Sequence, residues 1–476
     1  MNDFVISKNL LFGLGVLIIL SGVIFSSFYK LSESPVTWTD EGLIVQTSKT
    51  MVERGVYGFQ VAPTEIISPS FISTSFPVTF PITLSFHLFG VSLLHARLVM
   101  AMYIIALFLA VFLLFRDKIK EVVLWTLFLI GSFPPLYGHG KNVLGEVPGL
   151  FLLLLSAFFL KSTQDDQDNL VKWSLFGLFF GLSIATKPIF ILTAPAFIFV
   201  VYKTYIKDKS IQRNKLGVLF IFSLLPVLVW LNVQFFSSDS WSSVVSYYGN
   251  PHALDVLPAA ISNLKDFISH TRTLFAGAVF LFWSFILGYM YYTKKHIPLY
   301  ESYLYIVSFF VLALYFRNPP YYRYFFIAEV LSLIFLAFNL FRVVENKLWL
   351  RNIARVFLML LVVFQLGQLY SGSWVADGYK STRTTTMESV ISKIAKEQEV
   401  FVYQAPEAVI FLKNFNYYQY FSGTVATEFG QGNLHFIKDR NDLLIITRKD
   451  LFLQEQDLFS GYHITKEFDR YVLATK

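Results

Sequence analysis

Trp38-Thr39-Asp40-Glu41-Gly42 places two adjacent carboxylates at the start of a polar loop, shortly after the first long apolar run of the chain ends. An ionised acid beside hydrocarbon is costly, so acids at the mouth of a membrane segment are candidates for function. Their plainer reading is as caps of the following helix, where acids favour the first turn. A third acid, Glu146, follows the turn Gly138-His139-Gly140-Lys141-Asn142-Val143-Leu144-Gly145. Cations fall in comparable places: Lys141 itself, Lys187 in Thr186-Lys187-Pro188, and Arg323 in Tyr321-Tyr322-Arg323-Tyr324, with Glu329 a little further on. Carboxylates can take a proton from a hydroxyl or hold a divalent cation, and cations can hold a departing phosphate. Each residue also has a bland role. Lys187 could snorkel to an interface, the tyrosines could form an interfacial belt, and Glu329 could pair with Arg323. His139, His252 and His270 lack metal-ligand spacing and read as incidental loop residues.

The elements that must hold these residues are membrane helices. The chain is 55% hydrophobic and only 15% charged, with mean hydropathy +0.55, whereas soluble domains carry about 25% charged residues. The net charge of +7 is spread over short loops between apolar runs, which argues against a nucleic-acid face. No cysteine is present, so disulfides and thiolate metal sites are excluded.

Apolar runs suited to crossing a bilayer fall near 10–28, 96–115, 121–137, 147–160, 173–186, 188–202, 216–236, 273–292, 300–316, 325–341 and 353–370. The first is too long for a signal-peptide core and is read as an uncleaved helix. Alternate loops are rich in basic residues (Arg116/Lys118/Lys120, Lys161/Lys172, Lys203 to Lys215, Lys294/Lys295, Arg342/Lys347/Arg351), and such loops stay cytoplasmic. The expected fold is therefore an all-α polytopic membrane protein of about eleven spans over residues 1–370, N-terminus in the cytoplasm. A first outer loop, 30–94, should carry interfacial helices. Residues 371–476 should form a small extracytoplasmic α/β domain, with strands at 399–403 and 442–447 and a short amphipathic helix at 407–413. This parity puts Asp40, Glu41, Glu146, Lys187, Arg323 and Glu329 on one membrane face.

The ordered set resembles the GT-C glycosyltransferases, in particular the protein O-mannosyltransferase and aminoarabinose-transferase branch. The resemblance rests on the acidic pair, the Gly-x-x-x-x-Gly-Glu-x-Pro turn ending at Pro148, the lysine after the fifth span, and the late Arg-Tyr. Phe89-Gly90 followed by Ala96-Arg97-Leu98 also fits, and the likeness covers roughly residues 10–340. It implies an enzyme that moves a sugar from a polyprenyl-phosphate donor to an acceptor hydroxyl of a protein, lipid or glycan on the extracytoplasmic face. The implied membrane is a prokaryotic plasma membrane. Asp40 matches the acceptor-contacting acid and Glu146 the second acid near the reaction centre, with Glu41 a further catalytic candidate. Lys187, Arg323 and Lys141 match phosphate-binding positions; Tyr322, Glu329 and Glu65 are further candidates. A divalent Mg or Mn ion on Asp40 and Glu146 is a possible cofactor, and a nucleotide is not expected. The passage Thr64-Glu65-Ile66-Ile67-Ser68-Pro69 departs from the aminoarabinose-transferase pattern in lacking its lysine. A transporter or flippase, or a polysaccharide polymerase or ligase, would share this composition. Transporter sites, however, favour broken helices near the midplane of repeated halves, and no internal repeat is evident.

Overall fold

The computed structural model describes residues 8–166, 169–208, 212–235, 255–317, 322–344, 347–421, 437 and 440–476. Tyr321 and His252 lie outside them. The helices in chain order are α1 (Lys8–Phe28), α2 (Thr39–Arg54), α3 (Phe76–Phe89), α4 (Leu93–Phe115), α5 (Lys120–Gly131), α6 (Pro134–Lys141), α7 (Glu146–Asp165), α8 (Leu170–Thr186), α9 (Ala194–Val201), α10 (Arg213–Gln234), α11 (Val256–Ser269), α12 (Thr271–Tyr292), α13 (Leu299–Arg317), α14 (Tyr322–Val343), α15 (Leu348–Gly367), α16 (Trp374–Gly378), α17 (Arg383–Ile391) and α18 (Lys449–Gln454). Among the described residues nine helical stretches are long and apolar enough to cross a membrane, and the bent pair α5–α6 makes a tenth. The shorter apolar α8 accounts for the eleventh expected span. Large apolar residues such as Leu17, Ile18, Leu228, Phe285 and Val363 point outward, the pattern of a surface that meets lipid rather than water.

Two local sequences shape the end of the bundle that matters here. Residues 120–141 do not run as one span: Pro134 and Pro135 lack backbone N–H donors, and the chain bends by 59° between α5 and α6. What read as an outer loop around His139 is therefore a buried helical turn. Near the middle of the bundle, α14 is buried continuously from Phe325 to Ala337, so its first turn is held rigidly at the same end.

The first loop folds into α2, a hairpin of β1 (Phe59–Ala62) and β2 (Glu65–Ile67), and α3. As expected of an interfacial helix, α3 exposes Phe80, Leu84, Leu88 and Phe89. In contrast, α2 is buried from Glu41 to Thr50. Its cover is the C-terminal segment, where β3 (Val400–Tyr403), β4 (Tyr417–Tyr420), β5 (Leu444–Arg448), β6 (His463–Phe468) and β7 (Tyr471–Thr475) form a mixed sheet of order β4-β3-β5-β7-β6. The expected amphipathic helix at 407–413 is instead a short 3-10 helix, Pro406–Phe411, buried throughout because it is wedged between sheet and α2. One apolar core joins Ile44 and Val45 of α2 and Phe59 of β1 to Val409, Val400 and Ile446.

Lys49 is sealed in this joint, its ammonium donating to Val409 O (2.8 Å) and Leu412 O (2.5 Å). Burial pulls its pKa down from 10.5 to about 8, with Glu53 opposing. Between those values the unfolded chain binds the extra proton, so the penalty of burying this ammonium is full below about 8 and is lifted as pH rises toward 10.5, and stability climbs across that window. In detergent, the melting temperature of the wild type relative to Lys49→Met should therefore climb across that window. A difference that stays flat with pH would contradict the assignment.

Candidate active site

The start of α2 is fixed by Glu41 rather than exposed by it. Arg97, near the start of α4, donates from Nε to Glu41 Oε1 (2.8 Å) and from Nη2 to Oε2 (2.7 Å). Its Nη1 donates to Leu31 O (2.9 Å) and Ser32 O (3.1 Å), and Nη2 also reaches Asn142 Oδ1 (3.0 Å). Val143 N donates to Glu41 Oε1 (3.1 Å). Both side chains are fully buried. Glu41, expected as a catalytic acid beside Asp40, is instead fully buried, with both its oxygens accepting hydrogen bonds. Its network ties α2, α4 and the α6–α7 turn together, which brings Asp40 and Glu146 to the same end of the bundle.

Asp40, one residue earlier, stays half-buried and pairs with Arg323 at the first turn of α14. The Arg323 guanidinium also lies over the Trp38 ring, 5.3 Å from its centroid. Glu146 opens α7, where the helix N-terminus favours an acid, and its Oε1 accepts from Lys187 Nζ at 2.5 Å. That pair is nearly sealed, the side chains being 1% and 6% exposed. Gly145 permits it: a Cβ there would lie 3.0 Å from Lys187 Cβ and 3.1 Å from Thr186 O. Lys187, at the turn after α8, also lies in the field of Arg323 and Asp40; burial pulls its pKa below the ordinary lysine value and Glu146 pulls the other way. Asp40, Glu146, Lys187 and Arg323, drawn from four distant parts of the chain, therefore form one charged cluster.

The other candidates separate from these four. Lys141, expected to bind phosphate, has its ammonium committed to Tyr29 O (2.9 Å) and to the face of Tyr379. Glu65 is exposed on the β1–β2 hairpin. Glu329 pairs with the Tyr322 hydroxyl rather than with Arg323, which leaves Arg323 to Asp40. His139 is no loop histidine. It is buried against Tyr322, Phe326 and Trp374, with ring centroids 5.9, 4.9 and 5.6 Å away. Arg272, at the start of α12, stacks over Tyr322 at 5.0 Å and adds a cation that sequence reasoning passed over. Its signal was a lone arginine at the head of an apolar span, a position that Arg97 shares at the start of α4.

The donor set does not fit a divalent cation. Asp40 and Glu146 each face a cationic side chain, and among the described residues no group of three or more His, Cys, Asp or Glu is placed to hold a metal ion.

Residues 75–230 match the family described as dolichyl-phosphate-mannose-protein mannosyltransferase. No curated protein sequence matches the chain. Among solved structures, ArnT from Cupriavidus metallidurans bound to undecaprenyl phosphate is similar over 96% of this chain and 97% of its own, at 12% identity and a TM-score of 0.63. The oligosaccharyltransferase from Archaeoglobus fulgidus, in complex with Zn and sulfate, is similar over 91% of this chain and 68% of its own, at 14% identity and a TM-score of 0.56. The same archaeal protein in complex with an inhibitory peptide and a dolichol-phosphate gives 13% identity and a TM-score of 0.53, over 91% of this chain and 69% of its own. The chain is an integral membrane protein with the GT-C glycosyltransferase fold.

Proposed function

We propose that the protein is a membrane glycosyltransferase that moves a sugar from a polyprenyl-phosphate donor to an acceptor hydroxyl. The observation that carries this reading is the Asp40–Arg323 ion pair beside Glu146 and Lys187 at one end of the bundle. In this reading residues 1–370 are the transferase unit and 371–476 an extracytoplasmic unit. Arg116, Lys118, Lys120, Lys203, Lys207, Arg213, Lys215, Arg342, Lys347 and Arg351 belong to the opposite helix ends, which supports an extracytoplasmic site and a cytoplasmic N-terminus. A midplane transport site is disfavoured because the cluster lies at the helix ends.

Donor phosphate competes with Asp40 for Arg323, and Arg272 supplies a second cation nearby. Once Arg323 turns to the phosphate, the Asp40 carboxylate faces the acceptor hydroxyl. A carboxylate is a far weaker base than an alkoxide, so Asp40 accepts the proton late, as the new bond forms. The acceptor oxygen bonds to the anomeric carbon as the bond from that carbon to the phosphate oxygen breaks. The proton goes to Asp40, and the electron pair leaves on polyprenyl phosphate, whose growing charge the cations stabilise. Glu146, neutralised by Lys187, shapes the field around Arg323.

Membranes containing the protein, incubated with a panel of radiolabelled polyprenyl-phosphate sugars, should pass label into a protein, lipid or glycan fraction. Uptake of tracer into sealed vesicles with no sugar transfer would overturn the reading in favour of a transporter.

A further inference from the structure

The C-terminal segment grips the chain on both sides of Asp40. Upstream, the two Glu33 carboxylate oxygens accept from Thr384 N (3.1 Å), Thr385 N (3.0 Å) and Thr385 Oγ1 (2.7 Å) in the first turn of α17. Ser34 Oγ donates to Val375 O (2.7 Å). Downstream, Gln46 Nε2 donates to Pro406 O (2.6 Å), and Lys49 reaches Val409 O and Leu412 O. Gly42 is pressed on the same 3-10 helix: a Cβ would fall 2.4 Å from Glu407 N and 2.6 Å from Glu407 Cα. Gly42, Gln46 and Lys49 follow the i, i+4, i+7 spacing of one helix face, so a single side of α2 is held. Glu407 is itself anchored by Arg470 (3.0 Å) and by the Tyr471 hydroxyl.

We infer that the 371–476 unit is a positioning clamp that sets where the Asp40 carboxylate stands; this rests on the reading of Asp40 as the proton acceptor. The turn carrying Asp40 lies between two anchor points, and both belong to the same C-terminal unit. Glu41 and Arg97 hold this turn from the bundle side and the clamp holds it from the other, and a displacement near 1 Å can cost about 10² in rate. Among the described residues no hydrogen bond or ion pair joins the four clamped side chains, Glu33, Ser34, Gln46 and Lys49, to Arg323 or Lys187. Loosening the clamp therefore lowers turnover and spares lipid-phosphate binding, a split that a general loss of structure would not give.

The test uses full-length protein in nanodiscs, with Gly42→Ala to wedge the joint and Gln46→Leu/Lys49→Met to remove its polar ties. Three quantities are followed: hydrogen exchange over residues 38–48, binding of undecaprenyl phosphate, and transfer from whichever tritiated polyprenyl-phosphate sugar of the panel above the wild type uses. The clamp predicts exchange faster and transfer slower by about tenfold or more, with undecaprenyl phosphate affinity kept within about twofold. If Gly42→Ala does not fold, the double variant decides. Unchanged exchange at 38–48, transfer within about twofold of wild type, or a parallel loss of lipid-phosphate binding overturns the clamp. Wild-type transfer by Asp40→Asn would instead overturn the reading of Asp40 on which the clamp rests.

Discussion

Asp40→Asn should cut sugar transfer by about 10² or more, the span expected when a positioned general base is lost, while the protein stays folded. Asparagine keeps the size of the side chain and removes its ability to take a proton. The site is half-exposed, so the fold gains or loses little from the missing charge. Arg323 loses a competitor for phosphate, so undecaprenyl phosphate should bind as tightly as before or more so. Transfer rates and lipid-phosphate affinities measured on the same preparation check both halves. Near-normal transfer would remove Asp40 from the chemistry.

Arg97→Ala should be the most destabilising single change at this end of the molecule. It leaves Glu41 as a buried anion without its partner, a situation that typically costs about 3–5 kcal/mol. It also strips donors from Leu31 O, Ser32 O and Asn142. The melting temperature and transfer should fall together. Glu41→Gln should likewise lose stability, which separates it from its neighbour Asp40. Arg97→Met combined with Glu41→Leu should recover part of the loss by removing both buried charges, although the carbonyls of Leu31 and Ser32 remain unserved. A thermally silent Arg97→Ala would show that the pair does not hold α2, α4 and the α6–α7 turn together.

Much of this end was legible in the chain because charges are rare among apolar spans. Asp40, Glu146, Lys187 and Arg323 stand out for that reason, and basic-loop parity assigns them to one face. What sequence could not supply was the choice among neighbours. Asp40 and Glu41 are adjacent and chemically alike, yet helical geometry turns one toward Arg323 and the other into the bundle toward Arg97. Lys141 and Lys187 look equivalent as isolated loop lysines. Only the bend at Pro134-Pro135 decides that Lys141 meets Tyr29 and Tyr379, while Gly145 lets Lys187 approach Glu146. The C-terminal unit showed its strands by their apolar runs, but its grip on α2 and on the turn before it depends on contacts more than 300 residues apart in sequence, and no local pattern encodes them.

Equilibrium binding of undecaprenyl phosphate to wild type, Arg323→Ala and Asp40→Asn in nanodiscs tests the central exchange of partners most directly. The expected result is an affinity lowered by about tenfold or more in Arg323→Ala, from the loss of a hydrogen bond to a charged group, and maintained or raised in Asp40→Asn. Equal affinity in wild type and Arg323→Ala, or weaker binding in Asp40→Asn, would contradict a site in which lipid phosphate takes Arg323 from Asp40.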